Sequence, residues 1–481
     1  MIRRYNTSAM PSFSVVTLGC KVNHYESLQV EQLLRSMGYS RATPDVADVI
    51  ILNTCSVTSA AGAKSRNLLR RYSRPRSPGH TPLTIAIGCW AGSDTAAAQS
   101  IVGPSAVFTH KDDLHTQLLK LLTPDRATGS TEFLPYLPAE PSTGALSLPL
   151  LHSRQPDTQR AILKVQDGCD AHCTYCIIPK LRPLLWHKPV HQALQEASAL
   201  VAAGHHEIVL TGVFLGAYGY NTALRHRQFN TPESLPTLID ALCTQVPGLQ
   251  RLRLSSLEPG DITPELLRAL AAHRQVMPHF HLPLQSGSDT ILSKMNRQYT
   301  RADYLQSVGR LRDLFDRPAL TTDIIVGFPG ETDDFFAQTL DLVQQVGFLH
   351  THCFPFSPRQ GTAAARWKSQ FVHHQTITDR MDALEKFSLQ QSLTYRQQFV
   401  GQTAEILVEH PGADESASSI SPSPTPPLSH SSSPAIRHGR CERYFSIHFE
   451  APPGSPDLTG QLILLKITQA TPHRTLGTPQ Q

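Results

Sequence analysis

The amino-terminal part of the chain alternates short apolar runs with longer polar stretches. Three of these runs end at a cysteine: Phe13-Ser-Val-Val-Thr-Leu-Gly-Cys20, Asp48-Val-Ile-Ile-Leu-Asn-Thr-Cys55 and Leu83-Thr-Ile-Ala-Ile-Gly-Cys89. Because each run is short and is bounded by Gly, Asn or Thr, it predicts a buried strand. Helical segments near residues 25–37 and 60–72 follow the first two runs, so the pattern predicts an α/β unit.

A second alternation of strands and helices begins near Arg160. Strands are predicted at residues 161–165, 207–211, 251–255, 279–284, 322–326 and 350–355. Helices are predicted between them, at residues 192–203, 234–245, 263–272, 301–315 and 333–346. Six strands with helical crossovers favour a parallel, curved sheet, and cofactors bind at the carboxyl edge of such sheets.

The pattern changes again in the carboxyl-terminal part. Strand-like runs at residues 403–409, 443–450 and 461–468 predict a small antiparallel barrel. A Ser/Pro-rich stretch at residues 411–434 interrupts it and cannot build a core. The predicted organisation is an α/β domain at residues 11–124, a linker at 125–157, a second α/β domain at 158–398 and the barrel at 399–470.

Three further cysteines, Cys169, Cys173 and Cys176, form a C-x3-C-x2-C motif. Closed zinc and iron–sulfur sites normally take four protein ligands, so three thiolates predict a [4Fe–4S] cluster with one open iron. The alternative is a zinc site whose fourth ligand is His172 or His187.

The more widely spaced Cys20, Cys55 and Cys89 occupy the same place in a repeated strand-turn unit, and two of them follow glycine. Because parallel strands end at the same sheet edge, these cysteines are expected to meet as a second three-thiolate site. The alternative is that they are buried packing residues.

Composition agrees with an intracellular protein that binds cofactors. The chain has 481 residues, a net charge of +4 and nine cysteines, which suits a reducing cytoplasm better than a disulfide framework. The remaining Cys243, Cys353 and Cys441 are interpreted as packing residues. The start lacks the apolar segment of a signal peptide and no run is long enough to span a membrane, so a cytoplasmic protein without a membrane partner is expected.

The two cysteine triads in this order resemble the methylthiotransferases of the radical S-adenosylmethionine (SAM) superfamily. The run Thr17-Leu-Gly-Cys-Lys-Val-Asn-His-Tyr-Glu-Ser27 is similar to the signature of the branch that acts on N6-threonylcarbamoyladenosine in tRNA. Other segments that resemble family motifs are residues 53–58 (NTCSVT), 210–219 (LTGVFLGAYG), 252–259 (LRLSSLEP), 281–288 (HLPLQSGS) and 322–331 (TDIIVGFPGE).

The resemblance implies a partial (β/α)6 radical SAM barrel between the amino-terminal α/β cluster domain and a carboxyl-terminal TRAM-like RNA-binding barrel. It implies two [4Fe–4S] clusters, one on each triad, and SAM, whose reductive cleavage gives a 5′-deoxyadenosyl radical. The implied reaction converts the C2–H of adenine 37, beside the tRNA anticodon, to C–S–CH3. The implied partners are tRNA, a flavodoxin- or ferredoxin-like electron donor and a sulfur donor.

Two other functions stay open at this point. One is methylthiolation of a different acceptor, either isopentenyladenosine in tRNA or a ribosomal protein. The other is a catalytically silent iron–sulfur protein that binds RNA, although all six cysteines are intact.

Several residues at the ends of the predicted strands are candidates for contact with SAM. They are Gly212, Gly216, Ser255, Ser256, Glu258, Gln285 and Gly327. The two glycines after the second strand would let the backbone approach the cofactor, or they serve a plain turn. Ser255, Ser256 and Glu258 would bond the ribose or methionine part, Gln285 ends the fourth strand, and the turn at Gly327 would line the adenine pocket.

A run of cations at residues 64–76 contains no acid and follows Cys55. Its RNA-binding candidates are Lys64, Arg66, Arg70 and Arg71, and the alternative is a solvated helix face. A second candidate group lies at residues 180–188, where the chain departs from the family and lacks an expected glycine. The carboxyl-terminal region, by contrast, has five Lys or Arg and seven Asp or Glu from Phe399 onward, so it offers no strong basic surface.

Overall fold

A computed structural model of the chain describes residues 11–77, 81–109, 114–122, 148–155, 158–224, 227–229, 231–410, 435–451 and 454–480. The chain divides into two units, Met1–Leu151 and His152–Gln481. The predicted insertion at residues 411–434 and most of the predicted linker at 125–157 lie outside the described residues.

The amino-terminal unit is built on four parallel strands. Its elements are β1 (Ser12–Thr17), α1 (Lys21–Ser36), β2 (Ser40–Arg41), β3 (Val49–Thr54), α2 (Ser59–Tyr72), β4 (Leu83–Gly88), α3 (Cys89–Ser93), α4 (Thr95–Val102) and α5 (Leu114–Leu122). The strand order is β2-β1-β3-β4. Every residue of β3 is buried, which explains why its apolar run has no polar alternation. The three strands predicted before the cysteines are thus present.

The end of the predicted linker is bound to this unit. Leu148 packs into its core. The amide of Gln29 donates to the carbonyl of Pro149 at 2.8 Å, and that of Gln32 donates to the carbonyl of Leu150 at 2.6 Å.

The second unit begins with alternating strands and helices. Its elements are β5 (Arg160–Lys164), β6 (Gln166–Asp167), α6 (Ile178–Leu181), β7 (Trp186–His187), α7 (Val190–Ala202), β8 (Glu207–Thr211), α8 (Leu235–Gln245), β9 (Arg251–Leu254), α9 (Pro264–Ala272), β10 (His279–His281), α10 (Asp289–Lys294), α11 (Arg301–Leu314), β11 (Ala319–Val326), α12 (Asp333–Val346), β12 (His350–Pro355) and α13 (His374–Gln397).

Six of these strands are parallel and form the predicted partial barrel. They make two three-stranded sheets, β5-β8-β9 and β10-β11-β12, which meet through the bridges Leu252–Val276 and Ser256–His281. The strand predicted to reach residue 284 ends at His281, because the N–H of Leu284 bonds the hydroxyl of Thr322 at 2.8 Å. The long helix α13 was not predicted. Only five of its 24 residues are buried, two of them arginines, so it lacks a clear apolar stripe.

The carboxyl-terminal part forms a closed barrel. Its strands are β13 (Thr403–Val408), β14 (Ala435–Cys441), β15 (Ser446–Ala451), β16 (Leu462–Ala470) and β17 (Thr475–Pro479), in the order β13-β14-β15-β17-β16. The sequence pattern predicted only β13, β15 and β16. Closure depends on β17, which is antiparallel to β16 but touches β15 in parallel at a single pair, so the barrel is not wholly antiparallel.

Two buried arginines of β9 join the β5-β8-β9 sheet to this barrel. Arg251 donates to the carbonyl of Glu405 at 2.5 Å, and Arg253 donates to the carbonyls of Cys441 at 2.8 Å and Glu442 at 2.9 Å. Arg253 also pairs with the buried Glu207 of β8 at 2.6 Å. The barrel is therefore fixed to the strands, since buried guanidinium groups need all of these acceptors.

Candidate active site

The three amino-terminal cysteines directly follow or nearly follow β1, β3 and β4, which are neighbours in the sheet. A Cβ placed on Gly19 would lie 2.8 Å from Sγ of Cys55, and one on Gly88 would lie 2.5 Å from the carbonyl oxygen of Thr54. Both glycines have positive φ, +102° and +91°, and tight packing leaves no room for a side chain. The structure thereby brings the three cysteine turns together at one sheet edge.

Asparagine and threonine side chains fix these turns. The amide of Asn23 donates to the carbonyls of Leu18 at 2.9 Å and Thr54 at 3.0 Å. Asn53 donates to the carbonyl of Asn23 at 2.8 Å, and the Thr54 hydroxyl donates to the carbonyl of Ile87 at 2.6 Å. The polar residues of the first two cysteine motifs thus hold the cysteine positions in place.

The surroundings of the cysteines suit thiolate ligands. Sγ of Cys55 accepts the N–H of Val57 at 3.4 Å, and Cys20 lies immediately before α1, whose amino-terminal dipole end favours negative charge. Cys55 and Cys89 are buried whereas Cys20 is exposed, so the group is reachable from the Cys20 side.

The loop that carries Cys169, Cys173 and Cys176 is anchored at several points. The carboxylate of Asp170 accepts the hydroxyl of Thr222 at 2.6 Å and the N–H of Ala223 at 2.7 Å. The backbone N–H of Thr174 donates to the carbonyl of Met295 at 3.0 Å, and its hydroxyl donates to the carbonyl of Lys294 at 2.9 Å. This loop therefore has a fixed shape before any cluster is considered.

Arg297 is a site residue that the sequence pattern did not reveal. Its guanidinium donates to Sγ of Cys173 at 3.3 Å and to the hydroxyl of Tyr175 at 3.5 Å, and it pairs with the carboxylate of Glu258 at 2.5 Å. Arg297 lies far along the chain from the cysteines, in a turn with no distinctive spacing. Only the fold brings it to them.

Burial favours the neutral form of these thiols. It raises the pKa of Cys169 to about 12. Burial also raises the pKa of Cys173, and the charge of Arg297 opposes this shift. A bound metal centre would favour the thiolate form at these positions, as an iron–sulfur ligand set does.

The candidate glycines after β8 are explained by packing within the protein. A Cβ on Gly212 would lie 2.8 Å from Oε1 of Gln166, and one on Gly216 would lie 1.9 Å from Oδ2 of Asp261. Both positions exclude a side chain for that reason, and contact with SAM stays a prediction.

Two hydroxyls at the ends of β8 and β9 are better candidates for contact with a polar ligand than these glycines. The side chains of Thr211 and Ser255 are buried, and within the described residues their hydroxyl oxygens have no hydrogen-bond partner. Register pairs Leu210 with Leu254, so Thr211 and Ser255 are the next residues along two neighbouring strands. Buried polar groups are normally satisfied, so this pair is a candidate binding place for a ribose or amino-acid group. Thr211 was not among the predicted residues, while Ser256 is exposed.

The remaining strand-end candidates lie in turns of defined shape. Gln285 has a positive φ of 65°. Its backbone N–H donates to the backbone carbonyl of Asp323 in β11 at 2.8 Å. The N–H of Gly327 donates to the carboxylate of Glu331 at 2.8 Å, and Arg380 pairs with the same carboxylate at 2.9 Å. These contacts explain the shape of both motifs and leave their role toward SAM a prediction.

The atypical segment at residues 180–188 is largely occupied by internal contacts. Arg182 donates two bonds to Asp167, at 2.6 and 2.7 Å. Lys188 is buried and pairs with Glu196, and His187 packs edge-on against Tyr218. Arg182 and Lys188 are therefore structural, which corrects their interpretation as RNA contacts.

The cations of α2 differ in exposure. Lys64, Arg70 and Arg71 are exposed, whereas Arg66 is half-buried with its guanidinium 6.0 Å from the centre of the Trp90 ring. Arg71 lies 3.8 Å from Asp45 in a pair that is mostly solvent-exposed, and such pairs are weak. This face can therefore exchange its counterions for phosphates.

Comparison with known proteins gives two family matches. Residues 163–343 match the radical SAM superfamily, and residues 12–108 match the uncharacterized protein family UPF0004. No helix among the described residues is long and apolar enough to cross a membrane.

Curated relatives cover nearly the whole chain. The threonylcarbamoyladenosine tRNA methylthiotransferase MtaB of Bacillus subtilis is 32% identical over 96% of this chain and 94% of its own length. The tRNA-2-methylthio-N(6)-dimethylallyladenosine synthase of Anaplasma phagocytophilum is 31% identical over 96% and 97%. Among solved structures, the radical SAM methyltransferase TsrM of Kitasatospora setae matches with a TM-score of 0.50 at 14% identity, covering 74% of this chain and 77% of its own, a likeness of fold.

Proposed function

Because the chain belongs to the radical SAM tRNA methylthiotransferase family, we propose that it acts on N6-threonylcarbamoyladenosine at position 37 of tRNA, converting the adenine C2–H to C2–S–CH3. The observation that carries the choice of substrate is the first cysteine turn, Gly19-Cys-Lys-Val-Asn23, which resembles the threonylcarbamoyl branch. Relatives named for each of the two modified adenosines match with similar identity, so their names alone do not decide between them.

Radical SAM enzymes use SAM and a [4Fe–4S] cluster, and we assign this cluster to Cys169, Cys173 and Cys176. A second [4Fe–4S] cluster is assigned to Cys20, Cys55 and Cys89. When bound, the cofactors supply a carbon-centred radical and the incoming sulfur, for which protein side chains have no equivalent.

The protein's own residues position the cofactors and the tRNA and tune the cluster. Arg297 donates to Cys173 and balances negative charge there, while Glu258 holds the guanidinium in place. Thr211 and Ser255, at the ends of β8 and β9, offer two buried hydroxyls for the polar part of SAM. The exposed cations of α2 (Lys64, Arg70 and Arg71), together with the half-buried Arg66, bind tRNA phosphates. A sulfur donor and a flavodoxin- or ferredoxin-like electron donor complete the set of partners.

Specificity for the threonylcarbamoyl group follows from what a polar pocket excludes. A site built to bond the amide and carboxylate of that group leaves buried polar atoms unpaired when the group is missing. The radical step itself does not discriminate, because an adenine C2–H is present in every candidate substrate.

The test is turnover of the reconstituted enzyme on one tRNA prepared with threonylcarbamoyladenosine, isopentenyladenosine or unmodified adenosine at position 37. The methylthio product is measured by mass spectrometry of nucleosides. We expect product only from the first tRNA. Product from the isopentenyl tRNA alone would assign the chain to the dimethylallyl branch, and its absence from all three, with SAM still cleaved, would favour a non-tRNA acceptor.

A further inference from the structure

Three side chains that the proposed function does not use lie together on one face of the β10-β11-β12 sheet. Asp323 of β11 pairs in register with His352 of β12, and His281 of β10 pairs with Thr321, two residues before Asp323. Since side chains alternate between faces along a strand, His281, Asp323 and His352 share a face.

Their potential ligand atoms converge. One ligand atom from each of the three side chains lies within 4.8 Å of those of the other two. Nε2 of His281 is 3.4 Å from Oδ2 of Asp323, and these side chains are 17% and 32% exposed. An ion can therefore enter from solvent without unfolding the strands.

The hydrogen bonding around His281 directs one ring nitrogen toward this centre. Nδ1 of His281 lies 3.0 Å from the hydroxyl oxygen of Thr321, which is also 3.2 Å from Nε2 of His279. If Thr321 donates to His279, it accepts from Nδ1–H of His281, and Nε2 of His281 then presents a lone pair toward the Asp323 carboxylate. A second hydrogen bond of this kind is how metal-binding histidines are oriented.

Nε2 of His281 and Oδ2 of Asp323 would then be two electron-rich atoms that face each other. Either a cation between them or a proton on the imidazole stabilises this arrangement. Two imidazoles and one carboxylate form the ligand set of open zinc sites and of non-haem iron sites. The soft thiolates of the two cysteine triads lie outside this group, so its ligand chemistry is distinct from theirs.

We propose that His281, Asp323 and His352 form a mononuclear site for a divalent first-row cation, with Zn²⁺ as the probe. Three protein ligands leave at least one coordination position open, and an oxygen atom of water or of a bound molecule would take it. The inference does not depend on which tRNA base the enzyme modifies.

The test uses the full chain with its clusters reconstituted anaerobically, treated with a chelator and dialysed against buffered Zn²⁺. We expect about one zinc ion per chain beyond the cluster iron, bound through nitrogen and oxygen at about 2.0–2.2 Å by X-ray absorption at the zinc edge. His352→Ala and the conservative Asp323→Asn should each weaken zinc binding by at least about tenfold.

A matched control is His273→Ala, since His273 also contacts a carboxylate, that of Asp240 at 2.8 Å, but on the surface. It should bind zinc like the parent. Unchanged cluster absorbance shows that each variant is folded. Sulfur in the zinc shell, or equal zinc binding by the parent and both site variants, would overturn the proposal and leave His281 and Asp323 as a simple ion pair.

Discussion

The guanidinium of Arg297 lies 3.3 Å from Sγ of Cys173, and the same guanidinium contacts Glu258 at 2.5 Å. A cation, a thiol and a carboxylate thus form a chain from the cysteine loop to the turn after β9. Charge and hydrogen bonds at a cluster sulfur are among the factors that set the reduction potential of an iron–sulfur centre. We therefore expect Arg297 to influence the reduction potential of a cluster on these cysteines without being an iron ligand.

Replacing Arg297 by Gln should lower the reduction potential of the cluster on Cys169, Cys173 and Cys176 by on the order of 50 mV. The variant loses a positive charge and leaves Glu258 unbalanced, so the more negative, reduced state is disfavoured. An EPR-monitored redox titration measures the shift. Adding Glu258→Gln should restore part of it, and Arg268→Gln, at an exposed position of α9, serves as the control. An unchanged potential at full iron content would remove Arg297 from this role.

The two cysteine triads should each account for half of the iron. Anaerobically reconstituted protein is expected to hold about eight irons per chain, and Cys173→Ala or Cys55→Ala should each retain about four. Only Cys173→Ala should abolish SAM cleavage. Iron analysis and 5′-deoxyadenosine assays measure both quantities, with Cys243→Ala on α8 as the control. Loss of all iron from either variant, or zinc in place of iron, would refute two independent clusters.

The double variant Arg70→Gln/Arg71→Gln should bind tRNA more weakly and with a shallower salt dependence. The slope of log K against log salt should fall in magnitude by about 0.7–0.9 for each phosphate that the variant no longer neutralises. Filter binding across a salt series measures it. Arg268→Gln/Arg274→Gln removes the same charge from another exposed region and should leave the slope unchanged. If both double variants behave alike, the α2 cations are a solvated face.

Truncating Arg253 should loosen the carboxyl-terminal barrel. Arg253→Ala leaves Glu207 with fewer partners and takes a guanidinium donor from the carbonyls of Cys441 and Glu442, and breaking a buried ion pair typically costs about 3–5 kcal/mol. Hydrogen exchange of the amides in β13 and β14 reports the loss locally. The exposed Arg268→Ala should change protection by less than about 0.5 kcal/mol. Equal protection in the two variants would show that Arg253 does not fix the barrel.

The ion pair between Arg253 and Glu207 also predicts that the stability of the fold depends on pH. Burial alone would raise the pKa of Glu207, but Arg253, Arg160 and Arg251 together hold it below its ordinary value of 4.5. A lowered carboxyl pKa stabilises the fold above that value, and the stabilisation is lost as the pH falls through the lowered pKa. The difference in exchange protection between the parent and Glu207→Gln should therefore shrink below about pH 4.5. A difference independent of pH would indicate that Glu207 is not ionised.

The sequence predicted those parts of the fold that have a clear local pattern. Short apolar runs bounded by turn residues are a strong signal for strands. Such runs precede Cys20, Cys55 and Cys89 and mark the six strands of the partial barrel. Strands β14 and β17 were missed. β14 contains Arg437, His438, Gly439 and Arg440, so it lacks the apolar alternation that marks a half-buried strand.

The site was predictable where chemistry is concentrated in one motif and not where the fold assembles it. The cysteine triads are visible in the sequence because their spacing is unusual. Arg297 has ordinary neighbours in the sequence and reaches the cysteine loop only through tertiary structure. Lys188 shows the converse error, because a cation near the cysteine loop looked available for RNA and is buried against Glu196.

The attachment of the carboxyl-terminal barrel through Arg251 and Arg253 has a consequence for engineering. A terminal domain is usually treated as exchangeable at the linker that precedes it. If the barrel of this chain were replaced, the guanidinium groups of Arg251 and Arg253 would lose the backbone carbonyls that the original barrel supplies. A chimaera with a relative's barrel should therefore be designed from β9 outward, transplanting the two arginines together with the carbonyl-bearing strands that they bind.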